Sequence, residues 1–117
     1  MKTITEIREE LFNLLEVFHL PIYLQGSMNE SEIYPELFIT YFIPEVDDVE
    51  HFDNEPFLTS YTIEVAVYGN DIDRVDELTS QIKTLLKSGD FNFVISGDVQ
   101  SDVQTHLGIM QRFIKLA

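Results

Sequence analysis

The clearest pattern in the sequence lies in residues 60–94, SYTIEVAVYGNDIDRVDELTSQIKTLLKSGDFNFV, which predict a strand followed by an amphipathic helix. The odd positions from Tyr61 to Val67 are apolar or aromatic, which is the period of a strand with one buried face. Asn70 or Asp71 can then cap a helix, and Gly89 is predicted to end it in the left-handed conformation. The helix carries an apolar stripe at Ile72, Val75, Leu78, Ile82, Leu85 and Leu86. A further strand from Phe91 to Ile95 completes a unit that predicts an α+β fold.

The N-terminal third predicts one more helix and two strands. Apolar residues at helical spacing predict a first helix from Ile4 to Phe18, with Thr3 and Glu6 as a capping box. Pro21 ends the helix because proline cannot continue its hydrogen-bond ladder. Residues 22–24 are predicted to be a short strand, and residues 37–43 a second strand that Pro44 stops.

The C-terminal stretch, residues 103–117, fits a helix or a strand by its apolar spacing. Gly108 in its interior and the polar segment before it favour an antiparallel closing strand. The predicted order is therefore α-β-β-β-α-β-β. We expect residues 1–117 to form a single α+β domain, with a mostly antiparallel sheet of about four to five strands packed against two helices.

The charge of the chain is strongly negative and uneven. Seven basic residues against 21 acidic ones give a net charge of -14, and residues 9–73 carry fifteen Asp and Glu without one Lys or Arg. Such a surface repels phosphate, which disfavours specific binding of nucleic acid and favours a basic partner. No apolar run approaches the roughly 20 residues that span a bilayer, and the acidic N-terminal residues do not fit a signal peptide. We therefore expect a cytoplasmic protein that contacts no membrane.

Residues 45–56, EVDDVEHFDNEP, are predicted to be an acidic connection between two strands. Its length exceeds that of a usual hairpin loop, and long loops often carry function. A metal site is disfavoured because the segment has no central glycine and its carboxylates are irregularly spaced. We expect a contact surface for a subunit or another partner, formed by Glu45, Asp47, Asp48, Glu50, His51, Asp53 and Glu55.

The sequence predicts no catalytic, cofactor or metal site. The chain has no cysteine, and its three histidines, His19, His51 and His106, share no metal-ligand spacing. It contains neither a nucleophile elbow nor a glycine-rich loop that could hold phosphates. The acidic residues at the start of the second helix are explained by the positive end of the helix dipole. The predicted protein is not an enzyme.

The arrangement resembles the tail terminator, or tail-completion, proteins of long-tailed bacteriophages, which are also described as tail-to-head joining proteins. The resemblance covers most of the chain in order and spacing. It is carried by the opening helix, LPIYLQG, YPELFITYFIP, the acidic connection, YTIEVAVYG, NDIDRVDELTSQIKTLL and HLGIMQRFIKL. Tyr68 stands where such proteins often carry tryptophan, a residue that this chain lacks.

The resemblance implies a virion structural protein that caps the tail tube as a hexameric ring, ends tail polymerisation and joins the tail to the head. The implied partners are other copies of the chain, the major tail tube protein and the head completion or connector protein, with DNA passing through without specific binding. The protein would be made in the host cytoplasm and end at the head–tail interface of the virion. Two alternatives stay open: another head–tail connector component, and a small α+β module that binds a ligand or has a regulatory role.

Overall fold

The computed structural model describes residues 3–24, 35–49, 58–101 and 105–117. Its elements, in chain order, are α1 (Ile4–Leu15) with a 3₁₀ turn (Glu16–Phe18), β1 (Ile22–Leu24), β2 (Leu37–Val49), β3 (Leu58–Gly69), α2 (Ile72–Ser88), β4 (Asn92–Val99) and β5 (Leu107–Leu116). The predicted order α-β-β-β-α-β-β and the α+β fold class are confirmed.

The five strands form one sheet in the order β1-β2-β3-β5-β4. β1 pairs with β2 in parallel, and the other neighbours are antiparallel. The C-terminal stretch is thus a strand, as Gly108 indicated. A Cβ atom at Gly108 would lie 2.7 Å from Cε1 of Tyr68 and 2.7 Å from Cγ1 of Val99. Glycine is therefore required there by the close approach of the neighbouring side chains.

The core lies between one face of the sheet and the two helices. It contains the predicted strand face of β3, together with Ile7, Leu11 and Leu15 of α1 and Val75, Leu78, Ile82 and Leu86 of α2. Ile72 was predicted to belong to this stripe, but that prediction is wrong because its side chain is 45% exposed. Ile72 is the first residue of α2, directly after the N-cap Asp71, where the helix has only begun to cover the sheet.

Both helix starts agree with the sequence, whereas the end of α2 differs in its conformation. Thr3 and Glu6 form the predicted capping box, and the side chain of Asp71 accepts a hydrogen bond from the Asp73 N–H across 3.0 Å. Gly89 does cap α2, but its φ is −94°, so it is not the left-handed residue. Asp90 takes that conformation, with φ 66°. Gly89 instead permits close packing, because a Cβ atom there would lie 2.9 Å from Cδ1 of Leu14.

Pro44 was predicted to stop the second strand, but β2 continues to Val49. The pairing between β2 and β3 shifts register between Phe42 and Glu45, so the strand carries one extra residue there. A bulge of this kind accepts a proline, because the missing N–H is not needed in the ladder. The consequence is that Glu45 to Val49 belong to a strand rather than to the predicted loop.

β4 also runs further than expected, to Val99 rather than Ile95. β5 continues alongside it and supplies partners as far as Gly108, which pairs with Val99. A second register shift lies between Phe93 and Ile95. Phe93 pairs with Phe113, and Phe113 pairs with Ile63 of β3, the residue opposite the bulge of β2. Both bulges therefore lie in one row of the sheet, at its two sides.

Candidate interface on the acidic strand and the sheet edges

The predicted partner-contact residues divide into two groups. Glu45, Asp47 and Asp48 lie on β2 beyond its bulge, and all three are exposed. The remaining four, which are Glu50, His51, Asp53 and Glu55, lie outside the described residues. The structure thus places three carboxylates of the set on the last residues of β2, which form the first part of the predicted acidic connection.

The three carboxylates point to both faces of the sheet. Glu45 pairs with Thr62 and Asp47 with Ser60, on the face away from the helices. Asp48 is on the helix face, where its Oδ1 accepts a hydrogen bond from the Thr59 hydroxyl across 3.3 Å. This strand end is therefore acidic on each side and does not present a single flat carboxylate cluster.

Glu45 and Asp47 interact directly because residues two apart share one face of a strand. A hydrogen bond with the Asp47 side chain, followed by the negative charge of that group, raises the pKa of Glu45 above its ordinary value of 4.5. The positive charge of Arg112 acts in the opposite direction. Glu45 therefore holds its proton more strongly than an isolated glutamate would.

The opposite side of the sheet ends at β4, which the sequence did not mark as an edge. Its side chains are mostly exposed, including Val94 and Ile95, which is 54% exposed. Ile95 pairs with Arg112, whose guanidinium binds the carboxylate of Glu64 through Nε at 3.1 Å and also through Nη2. On the helix face, Nζ of Lys83 lies 3.9 Å from the centre of the Phe93 ring. The start of β4 thus combines exposed apolar side chains with a cation on each face.

A row of paired residues runs across the sheet from one edge to the other. Glu45 of β2 pairs with Thr62 of β3, Thr62 pairs with Ile114 of β5, and Ile114 pairs with Asn92 of β4. The acidic end of β2 and the start of β4 therefore lie at the same end of the sheet, on opposite edges, with Glu45 level with the first residue of β4. The sequence could not reveal this relationship, because it depends on the strand order.

Among the described residues, no group of three or more His, Asp and Glu side chains could hold a metal ion. His106 has a structural position: its Nε2 donates to the carbonyl oxygen of Pro35 across 2.7 Å, and its Nδ1 lies 3.0 Å from the Thr105 hydroxyl. Its ring also packs near that of Phe38. These contacts join the start of β5 to the start of β2.

Two surface depressions along α1 are open to solvent. One is lined by Glu6, Glu9, Glu10, Asn13 and Leu14, and another by Thr5, Arg8, Glu9, Phe12, Asn13 and Tyr41. Within the described ranges, no helix is long and apolar enough to cross a membrane.

The fold and these edges define a small α+β protein whose distinctive surfaces are strand edges rather than a pocket. Comparison with models of known protein families finds no match. A search of curated proteins also finds no match. The fold, the charges and the sheet edges are therefore the basis for a functional proposal.

Proposed function

We propose that the protein is a bacteriophage virion component that caps the tail tube as a ring, ends tail polymerisation and joins the tail to the head. The observation that carries this proposal is the element order. The tail terminator resemblance requires a short strand, a long hairpin, a helix and two closing strands after the first helix, and the fold has them in that order. The proposed role is structural, not enzymatic.

The charge distribution supports a part that surrounds DNA without holding it. A net charge of -14 on 117 residues gives each copy a strong negative potential. Since DNA is itself a dense polyanion, such a ring would let DNA pass without adhering, and specific DNA binding is not proposed. The exposed carboxylates of Glu45 and Asp47 would favour a basic surface on a partner. The proposed partners are the major tail tube protein and the head completion or connector protein.

The sheet edges support assembly into a closed ring. A cyclic assembly needs two different complementary surfaces on each copy, and this sheet ends in two different edges, one with exposed carboxylates on β2 and one with exposed apolar side chains on β4. We propose a hexamer, assembled in the host cytoplasm and retained in the virion at the head–tail interface. Another head–tail connector component stays the alternative, since it would use the same kinds of surfaces.

Deletion of the gene from its phage tests the proposal. Without a terminator, tube subunits would continue to add, so electron microscopy should show intact heads beside abnormally long tubes. The unmodified gene supplied in trans should restore normal tail length. Tubes of normal length in the deletion would refute the terminator function. Normal tubes beside unjoined heads would instead identify a connector component.

A charge-reversal pair tests the acidic strand within the same experiment. The double variant Glu45→Lys/Asp47→Lys should fold, since both side chains are exposed, but should restore joined particles poorly because the basic partner is repelled. The matched control is Asp76→Lys/Glu77→Lys, which reverses as many charges on exposed positions of α2. Equal restoration by both variants would remove the acidic strand from the interface.

A further inference from the structure

One of the two depressions along α1 contains an arginine, and we call it the Arg8 depression. Its lining on α1 recurs at the spacing that places residues on one side of a helix, with Thr5, Arg8, Glu9, Phe12 and Asn13. Tyr41 of β2 borders it from the sheet. Tyr41 pairs with the buried Val65 of β3, so its side chain is on the helix face. The depression therefore lies between α1 and the sheet.

Arg8 makes no ion pair or hydrogen bond in the part of the chain that the structure describes. Its Nε is buried and has no hydrogen-bond partner, and the ion pairs of the described residues involve other cations. Even Glu9, which lines the same depression, does not bind it. A buried N–H without a partner is uncommon in native proteins and calls for an explanation. In a chain with 21 acidic residues, this arginine is still free to bind an external anion.

The donors around the depression suit a carboxylate. Because Nε is enclosed by the protein, the side chain of Arg8 is restricted, and Nη1 and Nη2 are the donors that a ligand can reach. These two nitrogens form a planar fork that matches the two oxygens of a carboxylate. The hydroxyls of Thr5 and Tyr41 and the amide of Asn13 are further donors on the same surface.

The surroundings of Arg8 favour a ligand with one negative charge and an apolar body. Glu9 and the net charge of -14 repel anions, and they repel a doubly charged phosphate more strongly than a single carboxylate. Phe12 is 37% exposed and offers an apolar ring beside the arginine. The other depression has Glu6, Glu9 and Glu10 in its lining and no cation among its described residues, so it does not suit an anion.

We propose that the Arg8 depression binds a monocarboxylate with an aromatic or other apolar body. Nη1 and Nη2 of Arg8 hold the carboxylate, and the rings of Phe12 and Tyr41 contact the body. Two sources supply this chemistry: a small organic acid, and the C-terminal carboxylate of a peptide chain that ends in an apolar residue. The site does not depend on the proposed ring, for which the sheet edges are the proposed contacts.

NMR titration of the ¹⁵N-labelled protein tests the site. The probes are benzoate, its neutral analogue benzamide, and the dipeptide acetyl-glycyl-phenylalanine with a free or an amidated C-terminus. The two carboxylates should cause saturable shifts at the Arg8 Nε–H and at the backbone amides of residues 5–13, and the two amides should not. Tighter binding of benzoate identifies a small acid as the ligand, and tighter binding of the dipeptide identifies a chain terminus. Equal binding of the neutral analogues, or shifts confined to other residues, would overturn the proposal.

Three variants assign the binding to the named side chains. Arg8→Gln should weaken benzoate binding about tenfold or more, because charge-assisted hydrogen bonds are lost. The matched control Arg74→Gln removes the same charge from an exposed position of α2 and should change affinity by less than about twofold, since solvent and salt screen a distant charge. Glu9→Gln should strengthen binding about two- to fivefold by removing a like charge.

Circular dichroism checks that each variant is folded. If Arg8→Gln does not fold, Arg8→Lys replaces it, since lysine retains the charge without the fork and should still weaken binding. Equal affinity of the Arg8 variant and the Arg74→Gln control would refute the site. Inorganic phosphate that binds as tightly as benzoate would refute the preference for a carboxylate.

Discussion

Lys115 donates a hydrogen bond from Nζ to the carbonyl oxygen of Gly89 across 2.8 Å. The same ammonium lies 3.2 Å from Oε1 of Glu10 and 4.9 Å from the centre of the Phe91 ring. A residue near the end of the chain therefore ties together α1, the end of α2 and β5. Lys115 is only 7% exposed, so its charge is compensated inside the protein and not by water.

We predict that Lys115→Met lowers the free energy of unfolding by about 1–3 kcal/mol, the cost of leaving polar partners without their donor. Methionine retains much of the apolar stem, so lost packing contributes little. The midpoint of urea unfolding measures the change. Lys87→Met is the control, since Lys87 is exposed in the last turn of α2 and should change stability by less than about 0.5 kcal/mol. Equal midpoints for the two variants would show that the buried ammonium contributes nothing.

The two isoleucines of α2 give a matched pair. Ile82 is fully buried and Ile72 is 45% exposed. We predict that Ile82→Ala costs about 2–5 kcal/mol through lost burial and a cavity, whereas Ile72→Ala costs less than about 0.5 kcal/mol. Thermal unfolding followed by circular dichroism distinguishes them. A larger loss for Ile72→Ala would mean that the helix face is assigned incorrectly.

Two strand glycines should respond oppositely to alanine. Gly108→Ala introduces a methyl group against Tyr68 and Val99 and should cost about 1–3 kcal/mol by overpacking. At Gly97, a Cβ atom would meet nothing within 4 Å, so Gly97→Ala should be neutral or stabilising by up to about 1 kcal/mol. Chemical denaturation of both variants checks this. A tolerant Gly108 would show that the tyrosine ring can move aside.

The Glu45 carboxyl should titrate above its ordinary range, and Asp47→Asn should lower its pKa. NMR titration of the side-chain carboxyl carbons measures both effects, with Asp98→Asn as a distant control. Because the folded state raises the pKa, it holds this proton more strongly than the unfolded chain does. This group therefore favours folding more as the pH falls through its titration range and less as the pH rises. An unchanged Glu45 titration in Asp47→Asn would contradict the proposed coupling.

Local patterns in the sequence predicted most elements because each depends on neighbouring residues. The capping box at Thr3, the buried face of β3 and the strand around Gly108 all follow from spacing or from the conformational freedom of one residue. The prediction that Pro44 stops β2 was wrong because a proline that ends a regular strand can also occupy a bulge. Only the pairing with the partner strand decides between these outcomes. The prediction that Ile72 is buried was wrong because its exposure depends on where α2 begins to cover the sheet.

The candidate interface was only half predictable. The acidic residues on one edge are visible as composition, so the sequence marks Glu45, Asp47 and Asp48 as candidates. The β4 edge was missed because the chain forms β4 before β5, whereas in the sheet β5 lies next to β3 and β4 lies outside it. A useful signal was present in the adjacent apolar pair Val94 and Ile95, which breaks the alternation of a strand with one buried face.

The bulge at Pro44 also determines which face of the sheet each later side chain of β2 occupies. Before it, even-numbered residues such as Phe38 and Thr40 point away from the helices; after it, odd-numbered residues such as Asp47 do so. Strand side chains alternate, so a regular strand through the same residues, without the bulge, would exchange the two faces beyond it. Val46 would turn outward and the carboxylate of Asp47 would turn toward the helices. One extra residue in the backbone of β2 therefore determines the direction in which the acidic strand presents its charge.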